Sequence, residues 1–398
     1  MLEDLKLEEA DFALDEMPGE EMHRILRNFR ERGPVEKTRF MGLPAFVITR
    51  HQALLNAFMD NESFPPHRLY QASFEGAIGE SFISMEDPRR HLLYRRLATP
   101  AFRSQAVSRY ENEDLAALAH ELVDRLEGQR TFDLVESFTS RFPYLVISRL
   151  LGLPRDCEEE FQGWAEALLA FRDDPARAAI ARKKLTNFLT PAVEERRENP
   201  RDDVISELLQ ARVDGRKLSD EEIFSHIRLL FPTGGETSHG SLGNLLSTVL
   251  RSPGQWGALA EEPSHSHATV RESLRWETPI AVLPRISASF DIEFEGVEIP
   301  ANSWTLFAIA AANRDPEIFP DPDRFDPGRY QTGQETDESL TFGRGTKACP
   351  GMHLARKNME VAFRVLLERL PGLELIDSEA ALPRRTVLRC PDALRVKI

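Results

Sequence analysis

One cysteine near the C-terminal end of the 398-residue chain lies in a short segment that constrains its surroundings strongly. Residues 342–351 read FGRGTKACPG. Glycine permits backbone conformations and close approaches that a Cβ atom would block, so Gly345 and Gly351 leave room for a flat group against this segment. Pro350 is preorganised for the first turn of a helix. We therefore predict that Cys349 lies at a helix N-terminus, where backbone N–H groups and the helix dipole lower the pKa of its thiol.

A thiolate in such a loop is a ligand that haem iron accepts. The alternative is a buried and unreactive Cys349 in a glycine-rich loop. The segment resembles the haem-binding loop of the cytochrome P-450 monooxygenases, in which a phenylalanine, two glycines and the cysteine recur at this spacing. The resemblance implies haem b with Cys349 as the axial ligand of the iron and with Phe342, Gly345 and Gly351 beside the ring. Lys347 stands where the family has histidine or arginine, and the resemblance implies that it binds a haem propionate.

Charge and cysteine content limit the classes of partner and the compartment. The formal net charge is -15, which disfavours a nucleic-acid partner because phosphate binding needs a basic surface. The three cysteines, Cys157, Cys349 and Cys390, are too few and too scattered for a disulfide framework. Residues 1–10 are acidic, with neither a basic start nor an apolar run, so we expect no signal peptide, no membrane anchor and a cytoplasmic protein.

Hydrophobic periodicity predicts a mainly α protein with a minor β part. Helical spacing extends over 105–127, 134–151, 156–171, 175–197, 219–250 and 352–370, and alternation appears over 37–49 and 284–309. The resemblance covers essentially the whole chain and implies the P-450 fold, a triangular helical prism. It implies a single domain over 1–398, with a β-rich subdomain from about 34–60 plus 284–310 and the C-terminal end. Haem is then expected between the long central helix and the helix after the cysteine loop.

Helix-breaking residues interrupt the long apolar segment 219–250. Residues 232–237 read PTGGET, and Pro232 removes a backbone N–H while the glycines weaken the next turn. The segment is either a loop between two helices or one kinked helix with a local groove. Glu236 and Thr237 resemble the acid-alcohol pair of the family's central helix, which implies that they deliver protons to bound dioxygen. Thr233 stands where the family more often has alanine or glycine.

Three basic residues elsewhere are further candidates for binding haem. Asp87 and Pro88 predict the start of a helix on which His91 and Arg95 lie four residues apart on one face. Arg285 begins an alternating run that predicts a strand and hairpin. Taken alone, the first pair indicates a solvated helix face and Arg285 a surface strand. The family resemblance implies that all three bind haem propionates.

A glutamate and an arginine one turn apart predict an ion pair on a helix. Glu272 and Arg275 have i, i+3 spacing, and on an exposed helix such a pair would contribute little. The resemblance adds Arg324, from the proline-rich segment 313–327, as the third member of a buried network. Such a network would hold this segment against the core in a structural role.

The resemblance implies a monooxygenase that inserts one atom of dioxygen into a small, largely apolar organic substrate. The chain has no flavin or iron-sulfur motif, so we expect electrons from a separate ferredoxin and ferredoxin reductase. A basic docking patch for them would consist of Arg344, Lys347, Arg356 and Lys357. Two alternatives remain: a haem-thiolate peroxygenase, and a haem sensor or ligand-binding protein that does not hydroxylate.

Four segments are expected to line the substrate pocket. They are residues 64–84, the helix before Pro232, residues 281–283 and a turn at 389–391. Apolar walls with a few polar anchors are typical of small-molecule sites. Arg68, Arg228 and Arg389 would allow an anchor for a carboxylate or another polar group of the substrate.

Overall fold

The computed structural model describes residues 7–102, 114–155, 158–213, 215–330 and 337–398. Its helices are α1 (Glu20–Arg32), α2 (His51–Met59), α3 (Pro66–Ser73), α4 (Glu75–Ile78), α5 (Pro88–Ala98), α6 (Asp114–Asp124), α7 (Phe142–Leu151), α8 (Phe161–Leu169), α9 (Pro175–Glu198), α10 (Val204–Gln210), α11 (Asp220–Leu250), α12 (Gln255–Glu261), α13 (Ser266–Trp276), α14 (Ile309–Ala312) and α15 (Met352–Arg369). The predicted mainly α class is confirmed. Part of the predicted helix 105–127, and Cys157, lie outside the described residues.

The strands are short and belong to several small sheets. They are β1 (Val35–Phe40), β2 (Leu43–Ile48), β3 (Thr131–Asp133), β4 (Arg212–Val213), β5 (Arg216–Lys217), β6 (Leu283–Ile286), β7 (Ile292–Phe294), β8 (Val297–Ile299), β9 (Trp304–Phe307), β10 (Glu374–Leu375), β11 (Pro383–Arg384), β12 (Cys390–Pro391) and β13 (Arg395–Lys397). The largest sheet has the order β1-β2-β9-β6. Its β2–β9 pair is parallel, so the N-terminal hairpin joins strands that follow residue 282. The assignment of the whole chain to a single domain remains a prediction.

Helix α11 is the longest described helix and passes through the core. Its N-terminus has a capping box, in which Ser219 and Glu222 satisfy each other's backbone N–H groups. Pro232 cannot donate to the carbonyl of Arg228, yet the helix continues, because packing against α7, α8 and α15 stabilises it. The alternative of two helices joined by a loop is therefore wrong. Among the described helices, none combines the length and hydropathy that a membrane span requires.

A buried ion pair fixes the proline-rich segment against α13. Arg275 donates two hydrogen bonds to Glu272, at 2.8 and 2.7 Å, and neither side chain is exposed. Arg275 also donates to the carbonyl oxygens of Pro322 and Arg324, at 2.9 and 3.2 Å. A bidentate pair of this kind combines strength with a fixed geometry. It therefore determines where the segment after residue 313 runs.

The third member of this network is Arg329, and the prediction of Arg324 is wrong. The side chain of Arg324 is exposed, and only its backbone carbonyl takes part. A short 3₁₀ turn, Pro327–Tyr330, packs on α13 and places the Arg329 guanidinium 3.5 Å from Glu272. Arg329 is only 16 % exposed, so its charge acts on the carboxylate with little screening by solvent.

We expect Arg329→Ala to destabilise the protein by about 1–3 kcal/mol, because the charge beside the buried Glu272 carboxylate and the hydrogen bond to the Asp321 carbonyl at 2.8 Å are both lost. The matched control Arg324→Ala removes an exposed guanidinium five residues earlier and should change stability by less than about 0.5 kcal/mol. Urea unfolding of both variants at equal haem content measures the difference. Equal effects of the two substitutions would contradict the assignment of Arg329.

Candidate active site

The geometry of the cysteine loop restricts position 345 to glycine most tightly. Gly345 has a φ of +74°, and an added Cβ would lie 2.7 Å from the carbonyl oxygen of Phe58. The Cys349 N–H donates to the Phe342 carbonyl at 2.8 Å and closes the loop. Gly351 has a φ of −89°, and an added Cβ would make only an ordinary contact, 3.8 Å from the Cys349 sulfur. Glycine is therefore required at position 345 and not, by the described neighbours, at position 351.

Cys349 lies just before α15, as predicted, but its thiol is not acidic in this structure. Burial raises the pKa of the thiol, while the Gly351 N–H and the Arg95 charge lower it by less. The expected lowering is therefore wrong in its net sign, because desolvation is the largest effect. The side chain is nevertheless accessible to solvent.

Three basic side chains lie close together at the cysteine loop. The predicted helix start at Asp87 is confirmed, since its carboxylate accepts from the Arg89 N–H. His91 and Arg95, on the same helix, lie 3.1 and 2.5 Å from carbonyl oxygens of residues 346 and 348. The Lys347 Nζ lies 3.0 Å from the imidazole of His91. The structure thus brings these three predicted residues together.

The fourth predicted basic residue, Arg285, acts electrostatically on the ammonium group of Lys347. Arg285 is buried, and its guanidinium lies over the ring of Tyr70 at 5.7 Å. Burial, followed by the charges of Arg95 and Arg285, lowers the pKa of Lys347 to about 7. Within the described part of the chain, none of His91, Arg95, Arg285 and Lys347 forms an ion pair with a carboxylate. Desolvated basic groups without a counterion form a site that favours an anionic ligand, because such a ligand stabilises their charged forms.

In the middle of the central helix α11, one turn is less buried than the rest. Between residues 223 and 247, every position is buried except Thr233, Gly234 and Thr237. The Thr237 hydroxyl donates to the Thr233 carbonyl at 2.7 Å. The Thr233 hydroxyl donates in turn to the carbonyl of Leu229 at 2.7 Å. We call Thr233, Gly234 and Thr237 the helix window.

Glu236 adjoins the helix window but is itself buried. Its carboxylate accepts a hydrogen bond from the hydroxyl of Tyr144 on α7. Burial is the main reason that the pKa of Glu236 is raised to about 7. The carboxyl therefore exchanges its proton near neutral pH. Tyr144 was not predicted as a site residue, since it appears in the sequence as one more aromatic residue of a buried apolar helix.

Two arginines expected near the substrate are occupied elsewhere. Arg228 is buried, donates to the carbonyl of Ile78 at 2.8 Å and pairs with Glu221. Arg389 is fully buried and pairs with Glu277 at 2.5 Å. Both guanidiniums hold backbone segments together. The prediction that they anchor a polar group of the substrate is therefore wrong.

The predicted basic docking patch consists of Arg344, Lys347, Arg356 and Lys357. Lys347 directs its ammonium group inward, to the carbonyl oxygens of residues 82 and 83 at 2.9 and 2.8 Å. Arg356 pairs with Asp337, and Lys357 lies 3.8 Å from Glu360. Lys347 is therefore not part of an outward-facing basic surface, and the prediction of the patch is wrong for this residue, while docking at Arg344, Arg356 and Lys357 stays a prediction.

Comparisons with known proteins agree with this geometry. The family described as cytochrome P-450 matches residues 166–373. The chain is 32 % identical to cytochrome P-450 107B1 of Saccharopolyspora erythraea, over 92 % of each protein. It is 33 % identical to the 6-deoxyerythronolide B hydroxylase of the same organism, over 94 % of this chain and 96 % of that one. The structure of the myxobacterial cytochrome P-450 CYP267B1 in complex with myristic acid aligns with a TM-score of 0.84 and 29 % identity, covering 94 % of this chain and 96 % of that chain.

The chain therefore belongs to the cytochrome P-450 family of monooxygenases. The predicted P-450 fold is confirmed by the structural alignment. The cofactor of the family is haem with an axial cysteine thiolate. The described residues fit this cofactor, because an accessible thiol lies beside a cluster of cations that lacks carboxylate partners.

We expect Arg95→Ala to weaken haem retention about 10- to 100-fold, because a hydrogen bond between charged groups contributes about 1.5–3 kcal/mol. Arg96→Ala is the matched control, since it removes a neighbouring exposed arginine of the same helix. The rate of haem transfer to an excess of apomyoglobin measures retention. Equal transfer rates for the two variants would exclude Arg95 from the haem site.

Proposed function

We propose that this protein hydroxylates a small, largely apolar organic molecule with one atom of dioxygen. The observation that carries the proposal is the helix window: the central helix, buried elsewhere along its middle, leaves Thr237 only half-buried beside the Glu236 carboxyl, whose pKa burial raises to about 7. An alcohol and an acid at one opening are the groups that controlled proton delivery requires. 6-Deoxyerythronolide B, named in the description of one relative, and myristic acid, bound in one solved structure, serve as probes.

Cys349 is the proposed ligand of the haem iron. Of the two cysteines within the described residues, it alone is accessible to solvent. Cys390 is buried, and burial raises the pKa of its thiol to about 12. A thiolate at position 349 also has the Gly351 N–H and the Arg95 charge to stabilise it. Both contacts strengthen once the thiol gives up its proton.

The four basic residues are proposed to bind the two haem propionates. These residues are His91, Arg95, Arg285 and Lys347. Phe342, Gly345 and Gly351 are proposed to lie beside the ring. Phe342 is only partly buried, and the absence of a Cβ at Gly345 keeps the loop close to α2. A propionate carboxylate would supply the negative charge that this cluster lacks.

The bound haem supplies the iron at which dioxygen is reduced and cleaved. The chain supplies the protons for that step. Thr237 is proposed to donate or position a proton at the helix window, and Glu236 to replace it from the solvent side. A pKa of about 7 suits Glu236 for this exchange, because proton transfer is most effective when the pKa of the group is near the working pH.

Electrons are proposed to come from a separate ferredoxin and ferredoxin reductase in the cytoplasm. A peroxygenase would take both oxygen and electrons from hydrogen peroxide, and a haem sensor would need neither protons nor electrons. The Glu236-Thr237 pair favours the monooxygenase over both alternatives. Product formation with NADPH, ferredoxin and reductase, but not with hydrogen peroxide alone, distinguishes it from the peroxygenase. A sensor would give no product under either condition.

Cys349→Ala should abolish the red-shifted Soret band of the reduced protein with carbon monoxide, because the iron loses its thiolate. Cys390→Ala is the matched control and should retain the band. The measurement is the difference spectrum of the dithionite-reduced protein with and without carbon monoxide. A band that survives in Cys349→Ala would overturn the ligand assignment.

Thr237→Ala should reduce coupled hydroxylation about tenfold or more, because one member of the proton pathway is removed. Thr248→Ala is a matched control on the same helix: its hydroxyl donates to the Asn244 carbonyl at 2.8 Å, as that of Thr237 does to Thr233, but it lies outside the helix window. Hydrogen peroxide released per NADPH consumed, with myristic acid present, should rise in Thr237→Ala alone. An unchanged ratio would remove Thr237 from the proposed mechanism.

A further inference from the structure

Tyr144 and Gly235 fit together across the contact between α7 and α11. A Cβ added at Gly235 would overlap the ring of Tyr144. The same ring packs against Phe231, with 5.6 Å between the ring centres. The absence of a side chain at Gly235 therefore allows the Tyr144 ring to pack closely against α11, in addition to weakening this turn of the helix. The ring lies against the turn of α11 that carries Glu236.

Among the described residues, the Tyr144 hydroxyl has one hydrogen-bond partner in this apolar contact. It donates to the Glu236 carboxylate, and Tyr144 is 1 % exposed. A phenylalanine would fill the same volume and keep the ring packing. The hydroxyl is a buried polar group whose cost of desolvation is offset by this one hydrogen bond. The hydroxyl therefore acts on Glu236 and contributes nothing to the packing of the two helices.

The charges around Glu236 come from three neighbouring elements. The exposed Glu166 on α8 raises its pKa, and Arg385, next to β11, lowers it. The thiol of Cys390 on β12 also lies within electrostatic reach. Desolvation and the charge of Glu236 raise the pKa of Tyr144 well above its usual value, so the phenol stays protonated and keeps donating.

We propose that Tyr144 is a positioning residue for proton delivery, whose hydroxyl fixes the Glu236 carboxyl beside the helix window. This inference rests on the proposed function, in which Glu236 supplies protons toward Thr237. Without the hydroxyl, the buried carboxylate would lose the hydrogen-bond donor that Tyr144 provides and hold its proton more tightly. Glu236 would then exchange protons efficiently only at higher pH. Tyr144 itself transfers no proton to the reacting atoms.

The first test is an infrared titration of the haem-loaded protein. Loss of a protonated-carboxyl band in Glu236→Gln assigns that band to Glu236. We expect the band of the unmodified protein to titrate near pH 7, as the raised pKa of Glu236 requires. In Tyr144→Phe the midpoint should rise by about one to two pH units, since a hydrogen bond to a charged group contributes about 1.5–3 kcal/mol.

A second tyrosine-glutamate pair, whose glutamate also lies on α11, provides the control. The Tyr94 hydroxyl donates to Glu222 at 2.5 Å, about 21 Å along α11 from Glu236 at 1.5 Å per residue. Tyr94→Phe removes the same kind of bond and should leave the Glu236 midpoint unchanged. Gly235→Ala should raise the midpoint as Tyr144→Phe does, because the added methyl displaces the ring. An unchanged midpoint in both Tyr144→Phe and Gly235→Ala would overturn the proposal.

The second test is the pH profile of peroxide release per NADPH, with ferredoxin, reductase and myristic acid. The pH at which least peroxide is released should shift upward in Tyr144→Phe. If the infrared midpoint of Glu236 moves but this pH does not, the positioning role is overturned. Failure of the proposed function gives a different result. In that case Glu236→Gln and Thr237→Ala would leave the ratio unchanged, whatever the infrared titration shows. If those two variants lose coupling while Tyr144→Phe changes neither measurement, only the Tyr144 assignment fails.

Discussion

The packing of α11 through the core is the constraint on which the rest of the site depends. Its middle is buried by α7, α8 and α15, so any group that reaches it from solvent must do so at the helix window. A proline and two glycines lie in the same stretch, and isolated helices tolerate such residues poorly. The surrounding side chains compensate for this weakness. The helix therefore combines a rigid position with one accessible turn.

Desolvation shifts the pKa values of the ionisable groups at the site more than ion pairing does. Lys347 and Glu236 have pKa values shifted in opposite directions, to about 7 each, and burial is the largest cause in both cases. Elsewhere the protein balances buried charges carefully, as the Glu272–Arg275 pair shows. Buried charges that lack such balance are uncommon in folded proteins and often mark functional sites. Both shifted groups belong to the site proposed from the sequence.

The sequence allowed prediction of residues whose chemistry depends on short spacing. The cysteine loop, the helix start at Asp87 and the position of Glu236 next to Thr237 are local patterns, and the structure places each in the expected element. Contacts between distant segments were predicted less well. Arg324 and Arg329 both follow prolines in one irregular segment, and only the tertiary path of the chain decides which guanidinium meets Glu272. The role of Tyr144 likewise depends on how two helices approach each other.

The parallel pairing of β2 with β9 has a consequence for synthesis of the chain. Ala45 is paired with Trp304, so 259 residues separate the two partners. At about 5–20 residues per second, the ribosome needs roughly 13–50 s to make the intervening chain. During that interval the inner edge of the N-terminal hairpin has unpaired backbone groups, which other chains can bind. The order of the strands, and not the chemistry of the site, therefore sets how long this edge stays unpaired during synthesis.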